Sequence, residues 1–281
     1  NLVSGNDSAI YGYNNTGTVT STRTHVFGMG NLVSGADQVV VGSGNKNSGV
    51  NSFVLGYDNT NAWSGTDANV FGRGNYSNAR RTSIYGSGNL VSGNDSAIYG
   101  YNNTGTVTAI RSHVFGLGNV VSGADNITIG SGNSHSGFDS IVVGYGNINT
   151  LTGVSNNVFG RGNTSHATGL SIFGSGNHIS GAYSATYGYG NRVSLSSTRT
   201  STFGLENTSL SRNQTILGSG NINSGIDSYI IGYGNQQETG TFNAIFGSNN
   251  IVKAGLTGVG VYGNEITLPL SGNAGYKLNP N

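Results

Sequence analysis

Cysteine is absent from the 281-residue chain, so neither disulfides nor thiolate metal ligands can take part in its fold or chemistry. Charge is scarce: Asp, Glu, Lys and Arg make up 8%, against about 25% in an average soluble protein, and the net charge is +1. No basic stripe is available to release counterions from a polyphosphate or an anionic bilayer, which removes the electrostatic case for either partner. Proline occurs only at positions 269 and 280, and no run approaches 18 apolar residues, so no transmembrane helix is expected. What the chain does have is 49 glycines, 15 tyrosines and 10 phenylalanines. That is too much to bury for a disordered chain, and too little aliphatic material for one thick spherical core.

The sequence NLVSGNDSAIYGYNNTGTVT stands letter for letter at 1–20 and again at 89–108, a shift of 88, and a degraded third copy begins at Asn177. Residues 1–263 therefore read as three long repeats, about 1–88, 89–176 and 177–263, with 264–281 an irregular cap or the start of a neck. Inside each lies a shorter unit ending in two or three apolar residues and a glycine, from Gly12 to Gly263, with spacings of 16, 14 and 14 that loosen near the C-terminus. Such a unit has no 3.6-residue period and is rich in glycine and β-branched residues, which predicts two short strands and two tight turns, one rung of a solenoid. Glycine and asparagine in the Gly-x-Gly-Asn pieces are expected to supply the positive φ of the turns. Eighteen rungs of 14–16 residues would stack to roughly 85 Å.

Two residues before each marking glycine stands Val, Ile or Thr (Val26, Val40, Ile84, Thr128), and the residue just before it is also mostly apolar (Phe27, Leu55, Phe115). Neighbours in a strand point to opposite faces, so this strand is apolar on both. One face packs within the rung. The other needs another chain, and closed cyclic symmetry would hide it most economically.

The recurring motif, as in Ser8-Ala9-Ile10-Tyr11-Gly12 and Ser140-Ile141-Val142-Val143-Gly144, resembles the head repeat of the YadA-like trimeric autotransporter adhesins over about residues 1–263. The usual small residue in mid-strand is here β-branched. The resemblance implies an all-β, left-handed parallel β-roll of about 18 rungs, a homotrimer, and a place on the bacterial cell surface, anchored to the outer membrane by a C-terminal region outside this chain. It also implies a non-enzymatic role, binding a host CEACAM-type receptor or a matrix protein of the collagen, fibronectin or laminin class. The competing readings are a polysaccharide-processing β-solenoid like a phage tail spike, which needs paired carboxylates facing one groove, and a structural spacer of a surface fibre.

Chemistry is sparse. No cofactor or metal site is expected. His25 and His113 are 88 apart, six rungs, and form no intrachain ligand set; only symmetry copies of His25 meeting on a trimer axis could hold an ion. Asp7, Asp37, Asp95, Asp125, Asp139 and Asp227 follow turn glycines and suit Asx-type bonds, and the calcium repeat G-G-x-G-x-D is missing. The 16-residue units must carry a protruding loop every 44 residues. Each loop is read as starting with a tyrosine, Tyr13, Tyr57, Tyr101, Tyr145, Tyr189 and Tyr233, which either packs on the loop base or offers an aromatic platform to a partner. Trp63, the only tryptophan, and Leu151 hold equivalent loop places and are candidate anchors. Arg23, Arg111 and Arg199 recur in the other loop class, either meeting an acidic partner or hydrogen-bonding locally.

Overall fold

The computed structural model describes residues 1–62, 64–150, 152–269 and 277–278. The chain is a parallel β-solenoid of about 19 turns with no helix among the described residues. It divides into two units, Asn1–Asp139 and Ser140–Asn281.

In the first unit most turns consist of a five- or six-residue strand, such as His25–Met29 or Ala97–Tyr101, and a two-residue strand, such as Leu32–Val33 or Leu90–Val91. Long strands pair with long and short with short, all parallel and in register, so that Gly86 meets Gly100 and Gly100 meets Gly116. The second unit repeats the scheme, for example Ser171–Ser175 on Ala185–Tyr189 and His178–Ile179 on Arg192–Val193. Pairing there runs on past Gly263, since Thr267–Leu268 bonds Ile251–Val252 and Lys277–Leu278 bonds Val261–Tyr262. Where the spacing loosens, an extra pair forms between Gly240–Thr241 and Leu256–Thr257.

The core lies between the two ladders and is one side chain deep. In the first unit Val26, Val40, Val54, Val70, Ile84, Ile98 and Val114 from the long strands are buried with Val33, Val91 and Val121 from the short ones. In the second, Val142, Val158 and Ile172 pack with Ile179 and Val193, and Ile230, Ile245 and Val261 with Val252 and Leu268. Each such side chain is worth roughly 1.5–3 kcal/mol on burial. The column is not purely apolar: Asn47, Asn61 and Ser77 occupy inward short-strand positions in the first unit, and Asn149, Ser165 and Gln237 in the second, all buried.

The marking glycines are fixed by close approach. A Cβ built on Gly116 would lie 1.9 Å from the carbonyl oxygen of Gly130, and its φ of 127° is already outside what an L-residue tolerates. The asparagine of Gly-x-Gly-Asn behaves differently from expectation. The left-handed residue is the one before it, Gly30 (66°), Gly44 (68°) or Asn14 (56°), while Asn31 and Asn45 are absent from that conformation and face inward. They form a ladder. Asn15 Oδ1 accepts from the backbone N–H of Asn31 at 3.0 Å and from its Nδ2 at 2.9 Å, and Asn31 Nδ2 also donates to the Gly42 carbonyl at 2.8 Å. The pattern holds rung after rung to Asn133 in the first unit, and in the second Asn163 repeats it on Asn147 and Gly174.

His135 also faces the core, fully buried, with Nδ1 2.8 Å from Thr128 Oγ1 and no partner on Nε2. Burial pushes its pKa down from 6.5 to about 4.

Replacing Asn75 with alanine takes the acceptor from the Asn89 N–H and Nδ2 and the donor from the Gly86 carbonyl. The expected cost is about 3 kcal/mol in urea unfolding, against under about 1 kcal/mol for the exposed Asn94→Ala. The His135 imidazole is neutral in the folded chain and titrates at the ordinary value when unfolded. Its contribution is therefore complete above about pH 6.5 and is lost as pH falls toward 4, by about 3 kcal/mol. His135→Val should flatten the stability profile across that window.

Candidate functional site: exposed strand faces and loop tips

The outward face of the long strands carries the second apolar row. In the first unit Phe71, Tyr85, Tyr99 and Phe115 stack with centroids 4.7, 4.9 and 5.0 Å apart and planes within 4°. Tyr11 and Phe27 stack at 5.1 Å. Val41 and Leu55 fill the register between Phe27 and Phe71. The second unit has Phe159, Phe173, Tyr187 and Phe203 at 4.8, 5.0 and 5.0 Å, and Phe246 on Tyr262 at 5.1 Å. In-register parallel pairing puts like beside like at the strand spacing, close to ideal for offset rings, and each pair adds about 0.5–1.5 kcal/mol beyond its burial. These rings remain partly open: Phe27 is 42% exposed and Phe115 39%. His25 and His113 lie on this same outward face, exposed, in register with Val39 and Ile127. No cluster of three or more potential metal ligands occurs among the described residues.

The six tyrosines end the long strands instead of opening the loops. All are exposed, from 48% for Tyr57 to 67% for Tyr13. Their register neighbours alternate: Met29, Leu117 and Leu205 for Tyr13, Tyr101 and Tyr189, but Arg73 and Arg161 for Tyr57 and Tyr145. The two guanidinium carbons sit 5.6 and 5.5 Å from the ring centroids.

The two added residues of each 16-residue unit come after the short strand, in a turn closed by the bonds Ser21 N to Thr18 O, Gly65 N to Ala62 O, Ala109 N to Thr106 O, Gly153 N to Thr150 O and Ser197 N to Ser194 O. The first residue inside each turn is apolar: Val19, Trp63, Val107, Leu151 and Leu195. Trp63 and Leu151 lie outside the described residues. Val19, Val107 and Leu195 are 76%, 69% and 77% exposed, among the most open apolar side chains in the chain. The next residue is always Ser or Thr, and its hydroxyl donates to a carbonyl one rung on: Thr20 to Ser34, Thr108 to Ser122, Ser64 to Asn78 at 3.0 Å, Thr152 to His166 at 2.6 Å and Ser196 to Leu210 at 2.8 Å. The tips are thus pinned, and sequence reasoning had named only the two largest of them. The 44-residue interval from Trp63 and Leu151 was the signal that leads to the rest.

The arginines find partners within the chain. Arg23 forks onto Asp37 at 2.5 and 2.7 Å, Arg111 onto Asp125 at 2.6 and 2.6 Å, and Arg81 onto Asp95. Arg199 meets Asn213 Oδ1 at 2.9 Å. The guanidinium hydrogen bonds hold Asp37 and Asp125 below the ordinary carboxylate range. Asp7, Asp37, Asp95, Asp125, Asp139 and Asp227 all take positive φ, as do Arg23, Arg111 and Arg199, so these positions form a left-handed column at the second turn.

No protein-family model and no curated protein matches this sequence.

Removing one pin should loosen one tip. In Ser196→Ala, amide exchange at Ser197 is expected to quicken by about fivefold to tenfold, the worth of one hydrogen bond of about 1 kcal/mol, with the midpoint of global unfolding unchanged.

Proposed function

We propose that the chain is the head of a trimeric autotransporter adhesin of the YadA-like type: a left-handed β-roll that assembles as a homotrimer on a bacterial surface and binds a host protein. The observation that supports this most is the stacked, half-open aromatic row on the outward face of the long strands. A contiguous apolar row of this kind is a poor solvent face, and two further copies of the same chain would cover it along its length. The opposite, short-strand side and the turns then stay free for recognition. There the pinned apolar tips Val19, Val107 and Leu195 form a recurring set of low-entropy contact points, to which the sequence adds Trp63 and Leu151 at the same interval, and the exposed tyrosines add aromatic surface. Recognition by apolar knobs suits a chain of near-neutral charge, and three copies would multiply weak contacts by raising effective concentration. The partner class that the reading carries is a CEACAM-type receptor or a collagen, fibronectin or laminin matrix protein.

Sedimentation equilibrium tests assembly and a binding panel tests recognition. The expected species has three times the 28.8 kDa chain mass, and Tyr99→Glu with Phe115→Glu should release single chains. A stable, soluble single-chain species of the unaltered protein overturns the assembly. Against immobilised fibronectin, laminin, collagen and CEACAM ectodomain, the triple variant Val19→Ser, Val107→Ser, Leu195→Ser should keep the assembly mass and lose about tenfold or more in affinity for whichever binds. Absence of binding to the whole panel leaves a spacer.

A further inference from the structure

In the second unit, the outward face of the short strands brings three basic side chains together without an acid among them. His178 and Arg192 are register neighbours, followed by Thr208. The His166 ring lies 5.0 Å from that of His178. A groove of about 160 Å³ opens here, lined by His178, Arg192, Thr208 and, from the turns beyond, Ser180, Ser194 and Leu210.

Six of the eight other arginines have a side-chain partner, whereas Arg192, like Arg80 and Arg212, makes no ion pair among the described residues. Arg23, Arg81 and Arg111 sit on aspartates, Arg199 on an asparagine, and Arg73 and Arg161 over tyrosine rings. Arg192, His166 and His178 make no ion pair among the described residues, whose salt bridges all lie elsewhere. The carboxylate closest along the chain to Thr208 is Glu206, in the left-handed turn position ahead of Asn207, and it forms no ion pair with Arg192. Burial, His166 and Arg192 together push the His178 pKa down, in that order of size, as expected for cations crowded without a counter-charge.

We propose that this groove is a binding site for the oxyanion group of an acidic sugar, a carboxylate or a sulfate. The Arg192 guanidinium offers a planar fork that matches either group, and His178 adds a ring N–H donor that becomes charged when acid or a bound anion protonates the imidazole. The hydroxyls of Ser180 and Thr208 supply the neutral donors and acceptors that a sugar ring uses, and Leu210 gives one apolar wall. The groove lies on the face turned away from the aromatic rows, so its occupancy does not depend on assembly through them. The inference therefore goes beyond the adhesion reading and can fail or hold separately from it.

The test follows the histidine C2–H resonances of the unaltered protein by NMR against pH, with His178→Gln for assignment, in sodium chloride, sodium sulfate, sodium glucuronate and neutral glucose at matched ionic strength. Bound anion should raise the His178 pKa by about half a unit or more, saturably at millimolar concentration, in sulfate or in glucuronate. The anion that acts identifies the group taken; glucose should do nothing. In Arg192→Ala, an exposed position whose loss leaves the ladder intact, the shift should vanish. The same His178 titration in all four solutions overturns the proposal. So does a shift that persists in Arg192→Ala, or one shared equally by His25 and His113.

Discussion

Each buried asparagine of the ladder links two successive turns in three places: its oxygen takes the backbone N–H and the side-chain amide of the asparagine above, while its own amide closes on a glycine carbonyl of the long strand. A core one aliphatic residue deep cannot by itself align successive turns to a fraction of an ångström. The amide column can, because a slip of one residue would strand a donor and an acceptor in every rung at once. Once the turns are held in this register, the other columns follow. Glycine meets glycine where no Cβ fits, ring stacks on ring, and each turn's left-handed residue lies beside the next.

Much of this was readable in the letters. The apolar doublet before each glycine marked the long strands as apolar on both faces, and the structure assigns the faces, with Val26 buried and Phe27 outward. The 44-residue recurrence located the turns that carry added residues. The asparagine was misread because its position after Gly-x-Gly is a turn position, and turn chemistry and buried-ladder chemistry favour the same amide. Only the geometry distinguishes φ near +60° at Gly30 from the inward-facing side chain of Asn31. Val19 and Val107 went unnoticed as tips because a β-branched residue in a run of threonines reads as strand. The Arg–Asp pairs escaped for another reason: their partners are 14 residues apart, adjacent only after the turns stack.

The two faces of the solenoid serve different chemistry. The long-strand face is repetitive, aromatic and nearly devoid of charge. The short-strand side varies from turn to turn, with Leu32, Lys46, Tyr76 and Arg192 occupying equivalent places, so it can diversify without touching the ladder or the core. The groove at Arg192 and the pinned tips at its margin are both found there.

The identity of residues 1–20 and 89–108 has a further consequence at the level of the gene. Because every column recurs with the block, a deletion or duplication of 88 residues, or of the 44-residue half, rejoins asparagine to asparagine and glycine to glycine with no new junction to accommodate. Recombination between the copies can therefore change, one block at a time, how many hydrophobic knobs a single polypeptide displays, and under the adhesion proposal valency becomes a heritable variable that selection can adjust without inventing any new structure.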